Sequence, residues 1–409
     1  MAVLRDYIKI KHGFAFKGDH ISTIDDGTVL VTPGNFSIGG GFKEDKCKFF
    51  DGEYLAEYVL KPDDLIVTMT DLSKTIDTLG YSALIPNGER TYLHNQRIGL
   101  VLIEDEESLD KHYLYWFMRT PNYQKTIAAT SSGSTVHHTS PARIMDVEIE
   151  LPDLNMQRSI ALFMDNIEAK ININKQINEN LEQQALALFR HYFIDFEPYG
   201  RSAPSIWSKV SLDDVCTRIT DGSHYSPSDV PGAPYPMYSV KNMETYGFDS
   251  ISCKHITAED FHKMQKNDCV PKLNDILVAK DGSYLKEIFI CSEEKDEAIL
   301  SSIAIFRPNT KVIIPEILLY FLKQPSVRKD VGDNYVSGSA LPRIVLKDFK
   351  KYTFLLPPMT EQLKIGAVLH AIRMQTKANI DEIQNLSALR DTLLPQLMSG
   401  KLDVSDIDL

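Results

Sequence analysis

Five polar loops hold most of the side chains in this sequence that are equipped to act on a ligand. They read TMTDLSK (68–74), SSGSTVHHTSPAR (131–143), RITDGSHYSP (218–227), AKDGSYLK (279–286) and VSGSALPR (336–343). Their glycines let backbone approach a ligand closely, and their Ser, His, Lys and Arg side chains donate to phosphate oxygens or to base edges. The candidates for such contacts are Lys74, Ser134, His137, His138 and Arg143 in the first half, with His224, Lys280, Ser283, Lys286, Ser339 and Arg343 in the second. Solvated turns have the same composition. What favours binding is that the loops recur at matching points of a duplicated chain.

Signatures of catalysis are missing from the sequence. It has no GxxxxGK[ST] phosphate loop, and GGG at 39–41 reads as a turn rather than part of a dinucleotide fingerprint. No Asn/Asp-Pro-Pro-Tyr/Phe tetrapeptide of an amino-group methyltransferase occurs. NDILVAKDG resembles a nuclease motif, but Val278 stands where a second metal-binding carboxylate is needed. His137 and His138 flank Ser134 and Thr139 without a GxSxG elbow. Cys253, His255 and Cys269 are conceivable zinc ligands, but they lack paired spacing. The expectation is a chain with no catalytic residues, no metal and no cofactor of its own.

At 409 residues, with 43% hydrophobic and 24% charged residues, the chain has room for two or three ordinary globular domains. No apolar run approaches the roughly 18–20 residues of a membrane span. The N-terminus does not read as a signal peptide. Five cysteines, odd in number and without a CxxC pair, suit a reducing cytoplasm. The net charge of −12 argues against a nucleic-acid binder that works alone. Residues 1–150 hold 15 Lys/Arg against 22 Asp/Glu, and residues 205–355 hold 19 against 20. Binding to DNA would therefore need local basic loops or help from a partner's surface.

The loops belong to a duplication. At an offset of 205, Leu151-Pro152 matches Leu356-Pro357, Gln157 matches Gln362, and Ser132-Gly133-Ser134 matches Ser337-Gly338-Ser339. YWFMRTPNYQK resembles LYFLKQPSVRK, DDLIVTM resembles NDILVAK, and Leu4-Arg5-Asp6 aligns with Leu212-Asp213-Asp214. The order is a mixed domain, a long helix, and the same pair again. Strands are predicted at 28–32, 65–69, 98–103, 276–279 and 303–306, and helices at 110–119 and 315–322.

Each long helix carries a heptad seam. Ile160, Ile167, Asn174, Leu181 and Leu188 repeat every seven residues, as do Ile365, Ile372, Asn379, Leu386 and Leu393. Asn155 and Thr360 are the expected N-caps. Asn174 and Asn379 occupy the same seam position, where a polar residue penalises wrong registers. Pro395 should kink or stop the second helix. The predicted class is α+β: two similar mixed domains separated by two long antiparallel helices in a coiled coil, with pseudo-two-fold symmetry. The predicted boundaries are 1–152, 153–197, 198–355 and 356–409.

These features together resemble the specificity subunit of type I restriction-modification systems. Two SG[ST] loops, two LPxxxxQ runs into a helix, ALFRHYFIDFEP (187–198) and the late LLPQLMSGKL (393–402) carry the likeness, which covers essentially the whole chain. Met156 departs from the family pattern, whereas Glu361 in the second copy keeps it. The resemblance implies two target recognition domains, each reading one half of a split site in double-stranded DNA, with the helices as spacer. It also implies docking of two modification subunits, with restriction or motor subunits in some systems. S-adenosylmethionine, ATP and Mg would belong to those partners. The alternative reading is a non-catalytic scaffold with two protein-binding domains on a coiled coil.

Overall fold

The computed structural model describes residues 2–45, 47–71, 73, 76–133 and 136–404. Contacts divide the chain into two units, Met1–Ile173 with Glu382–Leu409, and Asn174–Asp381.

In the first unit, Ile98–Ile103 runs between Ile8–His12 and Leu65–Thr68, and Ser82–Leu84 completes an antiparallel four-stranded sheet. All four residues of Leu65–Thr68 are buried, as expected of a short apolar run covered on both faces. A five-stranded sheet follows, in which Thr28–Val31 and Thr91–His94 pair in parallel. The second unit repeats this plan. Cys216–Asp221, Ile303–Pro308, Ile276–Ala279 and Ile288–Ile290 form the antiparallel sheet. Tyr235–Tyr238 pairs in parallel with Ala298–Ile299 in a second sheet.

Two short helices then follow in each unit: Lys111–Phe117 with Pro121–Ala129, and Pro315–Leu322 with Pro325–Asn334. The second helix of each pair opens on proline, whose missing N–H costs nothing at that position. The predicted strands and first helices coincide with observed elements to within two residues at either end. Ala258–Lys266 is a helix where the first unit has only the 3-10 turn Ala56–Tyr58.

The long helices are Leu154–Phe193 and Met359–Met398, each 40 residues and therefore about 60 Å at ~1.5 Å per residue. Both N-caps are corrections. Asp153 accepts from the N–H groups of Asn155 and Met156 through Oδ1, each at 3.0 Å, so the first helix starts before Asn155. The second begins after Pro358, whose carbonyl accepts from Gln362 N–H, and Thr360 lies inside it. Pro395 stands within the last turn of the second helix, which ends three residues later.

Gln157 and Gln362 are buried and make the same three hydrogen bonds. Gln157 Nε2 donates to the carbonyls of Ser108 and Pro152 at 2.8 and 2.9 Å, and Oε1 accepts from Asp110 N–H at 2.9 Å. Gln362 Nε2 donates to Val312 and Pro357, and Oε1 accepts from Ile314 N–H, all at 3.0 Å. A single amide thus ties the Leu-Pro turn, the start of a long helix and the start of the first short helix of the same unit. Each of its three hydrogen bonds goes to backbone.

Helix pairing is antiparallel within each unit. In the first, Ile160, Met164, Ile167 and Ile171 share a core with Leu394 and Leu397, joined by half-buried Ile383, Leu386 and Leu393. Arg390 donates to Glu168 at 2.8 Å, and Lys170 lies 3.5 Å from Glu382. In the second, Ala185 and Phe189 meet Ile365 and Leu369, with Leu188 and Ile372 partly buried against them. Full burial of each large apolar side chain contributes about 1.5–3 kcal/mol, so packing rather than intrinsic propensity holds these helices.

Asn174 is 1% exposed, as its seam position requires. Asn379 Nδ2 donates to Asn178 Oδ1 at 2.7 Å, which supplies a polar pair inside the second unit's seam. Leu181 and Leu188 are only half-buried, because the fully buried positions there are Ala185, Phe189 and Phe193. A straight helix has 3.6 rather than 3.5 residues per turn, and the seam drifts accordingly.

Candidate nucleic-acid interface

Loops singled out separately in the sequence are hydrogen-bonded neighbours in the structure. In the first unit the Ser-Gly loop turns back on itself: Ser132 N–H donates to His138 O at 3.0 Å and His138 N–H returns to Ser132 O at 2.8 Å. The returning strand His137–His138 pairs with Thr70–Asp71. Thr139 N–H donates to Met69 O at 3.1 Å. In the second unit Val336–Ser337 and Arg343–Ile344 form the hairpin, and Ile344 N–H donates to Lys280 O at 3.0 Å. Asp281 bridges Arg343 just as Thr70 pairs with His138. The two units therefore hold the same pair of loops in the same register.

Gly133 and Gly338 are the reason for the Ser-Gly motif. Their φ angles are +104° and +90°. A Cβ at Gly133 would lie 2.0 Å from Val136 O, and one at Gly338 would lie 2.8 Å from Leu341 O. Gly338→Ala should destabilise the hairpin by about 1–3 kcal/mol. Thermal melting of the full chain checks this, with Gly247→Ala, whose Cβ would meet nothing within 4 Å, as a control.

A third loop joins them. Gly222 passes so close to the neighbouring strand end that a Cβ would lie 2.4 Å from Ile299 O, and Ser223 N–H donates to the same carbonyl at 2.8 Å. The first unit has the same arrangement at Gly13, 2.3 Å from His94 O, with Phe14 N–H donating to that oxygen at 2.8 Å. Sequence comparison missed Gly13-Phe14. The offset is 208 at Leu4 but 209 at Gly13, because a bulge between Cys216 and Arg218 inserts one residue in the second copy.

Around this shared frame the chemistry differs. In the second unit the three loops carry one ionic chain. His224 Nε2 lies 3.3 Å from Asp221 Oδ2, and Lys280 Nζ donates to that oxygen at 2.6 Å. Lys280 also lies 3.8 Å from Asp281 Oδ1, which is 3.7 Å from Arg343 Nε. The first unit has His12, Met69, Thr70 and His138 where the second has Asp221, Lys280, Asp281 and Arg343, and Ala15 where it has His224, with Thr70 Oγ1 3.2 Å from His138 Nδ1. Asp71 organises the loop after its strand by accepting from Ser73 N–H and from Thr78 N–H and Oγ1. Burial pushes its carboxyl up, but those hydrogen bonds outweigh burial and hold it below the usual range.

The candidates fall into distinct places. His138, His224, Ser283, Lys286, Ser339 and Arg343 are exposed. Lys286 is 3.3 Å from Glu287. His137 is half-buried, and its Nδ1 has no hydrogen-bond partner among the described residues. Arg143 donates to Ser132 Oγ at 3.2 Å from a separate short helix, Pro141–Met145, and so braces the hairpin. Lys74 and Ser134 lie outside the described residues. Lys280 is the correction: its side chain is 7% exposed and committed to Asp221, so it supports the site from beneath. A lysine directly after a strand is exposed or buried according to which sheet face it joins, and that depends on tertiary packing. Asp221 and Asp281, which join the ionic chain, were not selected in the sequence. Cys253 and Cys269 sit in separate apolar clusters.

This duplicated geometry has known counterparts. The sequence profile described as "Type I restriction modification DNA specificity domain" matches twice, over residues 4–183 and 204–386. The chain belongs to that family. Among curated members, it is 26% identical over 349 residues to the type I restriction enzyme MjaIX specificity subunit of Methanocaldococcus jannaschii, covering 80% of this chain and 76% of that protein. It is 25% identical to the type I restriction enzyme EcoBI specificity subunit of Escherichia coli, covering 96% and 84%. The crystal structure of the type I restriction-modification S subunit from M. genitalium aligns with a TM-score of 0.56 at 15% identity, over 97% of this chain and 95% of that one. Both specificity domains end inside a long helix, so each matched segment includes a Gln clamp and a three-loop site. Among the described residues no helix is long and apolar enough to cross a membrane.

Proposed function

We propose that this specificity-family chain is the DNA-reading subunit of a type I restriction-modification complex, recognising a bipartite duplex site and directing modification subunits to it. The observation that carries this reading is the recurrence of one three-loop frame in both units, with different side chains mounted on it. A shared frame presents side chains to a common form of ligand, and different side chains let each copy read different bases.

The chain contributes address rather than chemistry. Methyl transfer with S-adenosylmethionine, and ATP- and Mg-dependent translocation or cleavage, would reside in partner subunits. Two modification subunits, one for each half, match the duplication. Partner surfaces also answer the charge of −12, since they can supply the phosphate contacts that this chain's composition does not.

The test is selection from random duplexes by the chain assembled with its modification subunit. The expected result is enrichment of two short blocks separated by a fixed, unread gap. Retention of DNA without enriched sequence, or complex formation without DNA binding, would favour the scaffold reading. The helices would set the gap. Removing 170–176 and 375–381 together shortens both by seven residues, about 10 Å at ~1.5 Å per residue. The preferred gap should then shrink by about three base pairs, at ~34 Å per turn of 10–10.5 base pairs. An unchanged gap would show that the helices are not the spacer.

A further inference from the structure

We infer that Arg343, positioned by Asp281, is the guanine-reading residue of the second unit; this rests on the DNA-reading function proposed above. Three observations converge on it. Arg343 stands on a hairpin whose backbone is locked from below by Ile344 N–H to Lys280 O at 3.0 Å and by Gly282 N–H to Pro342 O at 2.7 Å. Its side chain is 55% exposed, and only Nε faces a partner, with Asp281 Oδ1 at 3.7 Å. Among the described residues the two Nη groups donate no hydrogen bond.

Asp281 supplies the third observation. Its Oδ1 is buried yet accepts no hydrogen bond among the described residues. Buried carboxylate oxygens are normally satisfied. Here the nearest cations are Arg343 at 3.7 Å and Lys280 at 3.8 Å, and Lys280 is already held by Asp221 Oδ2 at 2.6 Å. Arg343 is the cation free to close on Asp281. Doing so through Nε fixes the guanidinium plane and leaves its Nη groups as a donor fork. That fork matches O6 and N7 of guanine in the major groove, whereas a phosphate contact needs no such orientation. The first unit has His138 at the same hairpin position and Thr70 in place of Asp281, so the inference is confined to one half-site.

Selection from random duplexes by the assembled complex tests it, using wild type, Arg343→Gln, Arg343→Ala and Asp281→Asn. Wild type should require guanine at one position of a single block. Arg343→Ala should reduce discrimination at that position by about 5- to 150-fold, the range expected of a bidentate base contact. Arg343→Gln should move the preference toward adenine. Asp281→Asn should relax the same position, and the other block should not change with any variant. The inference is overturned if wild type selects no guanine in either block, or if Arg343→Ala weakens binding to all sequences equally with preferences intact. Loss of the DNA-reading function itself would look different, because wild type would then enrich no block at all.

Discussion

Gln362→Ala should destabilise the second unit by about 3–5 kcal/mol. The side chain is 1% exposed and satisfies two carbonyls and one N–H, which the variant leaves without partners. Each buried unsatisfied group costs about 1–3 kcal/mol, and water entering the space vacated recovers part of the sum. Gln362→Glu is the informative companion. It keeps an acceptor for Ile314 N–H but turns a carboxylate toward the carbonyls of Val312 and Pro357, so it should be no better than alanine. Gln157→Ala should behave alike in the first unit, since its three bonds are the same. Urea or thermal melts of the full chain measure both. A loss below about 1 kcal/mol would mean that the clamp is not structural and that this family hallmark serves some other purpose.

The clamp also illustrates what the sequence could reveal. Gln157 and Gln362 stood out as a repeated motif, but their role depends on carbonyls roughly fifty residues away, which no local pattern exposes. Duplication, the long helices and the core strands were legible because each rests on periodicity or on short apolar runs. The first N-cap is not decided by sequence because Asn155 and Asp153 are both competent acceptors, and only backbone geometry selects between them; the second helix starts directly after Pro358, one residue before Thr360. The half-burial of Leu181 and Leu188 follows from drift of a straight helix, which a strict heptad reading does not include.

The loops are legible in the sequence, and their assembly is not. Ser-Gly motifs and post-strand polar turns recur visibly, whereas the hydrogen bonds joining residue 139 to 69 and 344 to 280 are long-range. Residues with little composition signal, such as Gly13 and Asp281, enter the site only through those contacts. The result is a division between a backbone frame that the two copies share, set by glycines and main-chain hydrogen bonds, and side chains that differ between them. Such a division lets readout change without refolding the domain.

Lys280→Ala, the second large effect, separates frame from readout. It should cost the second unit about 3 kcal/mol, the low end for a broken buried pair, because half-buried Asp221 is left with only the exposed His224 beside it. Lys280 is 7% and Asp221 22% exposed at the side chain, with 2.6 Å between the charged atoms. Lys280→Met with Asp221→Asn removes both charges and brings the pair closer to the neutral Met69 of the first unit. It should recover most of the lost stability, since neutral replacements of buried pairs are often tolerated. A double-mutant cycle by thermal melting decides the matter. If instead Lys280→Ala leaves the melt unchanged and reduces DNA binding, then Lys280 leaves Asp221 to meet DNA and its burial describes only the free chain. If stability falls and returns in the double variant, with base preference at the Arg343 position retained, Lys280 is part of the platform. The carboxylates beneath the hairpin then act on DNA only through the side chains they hold.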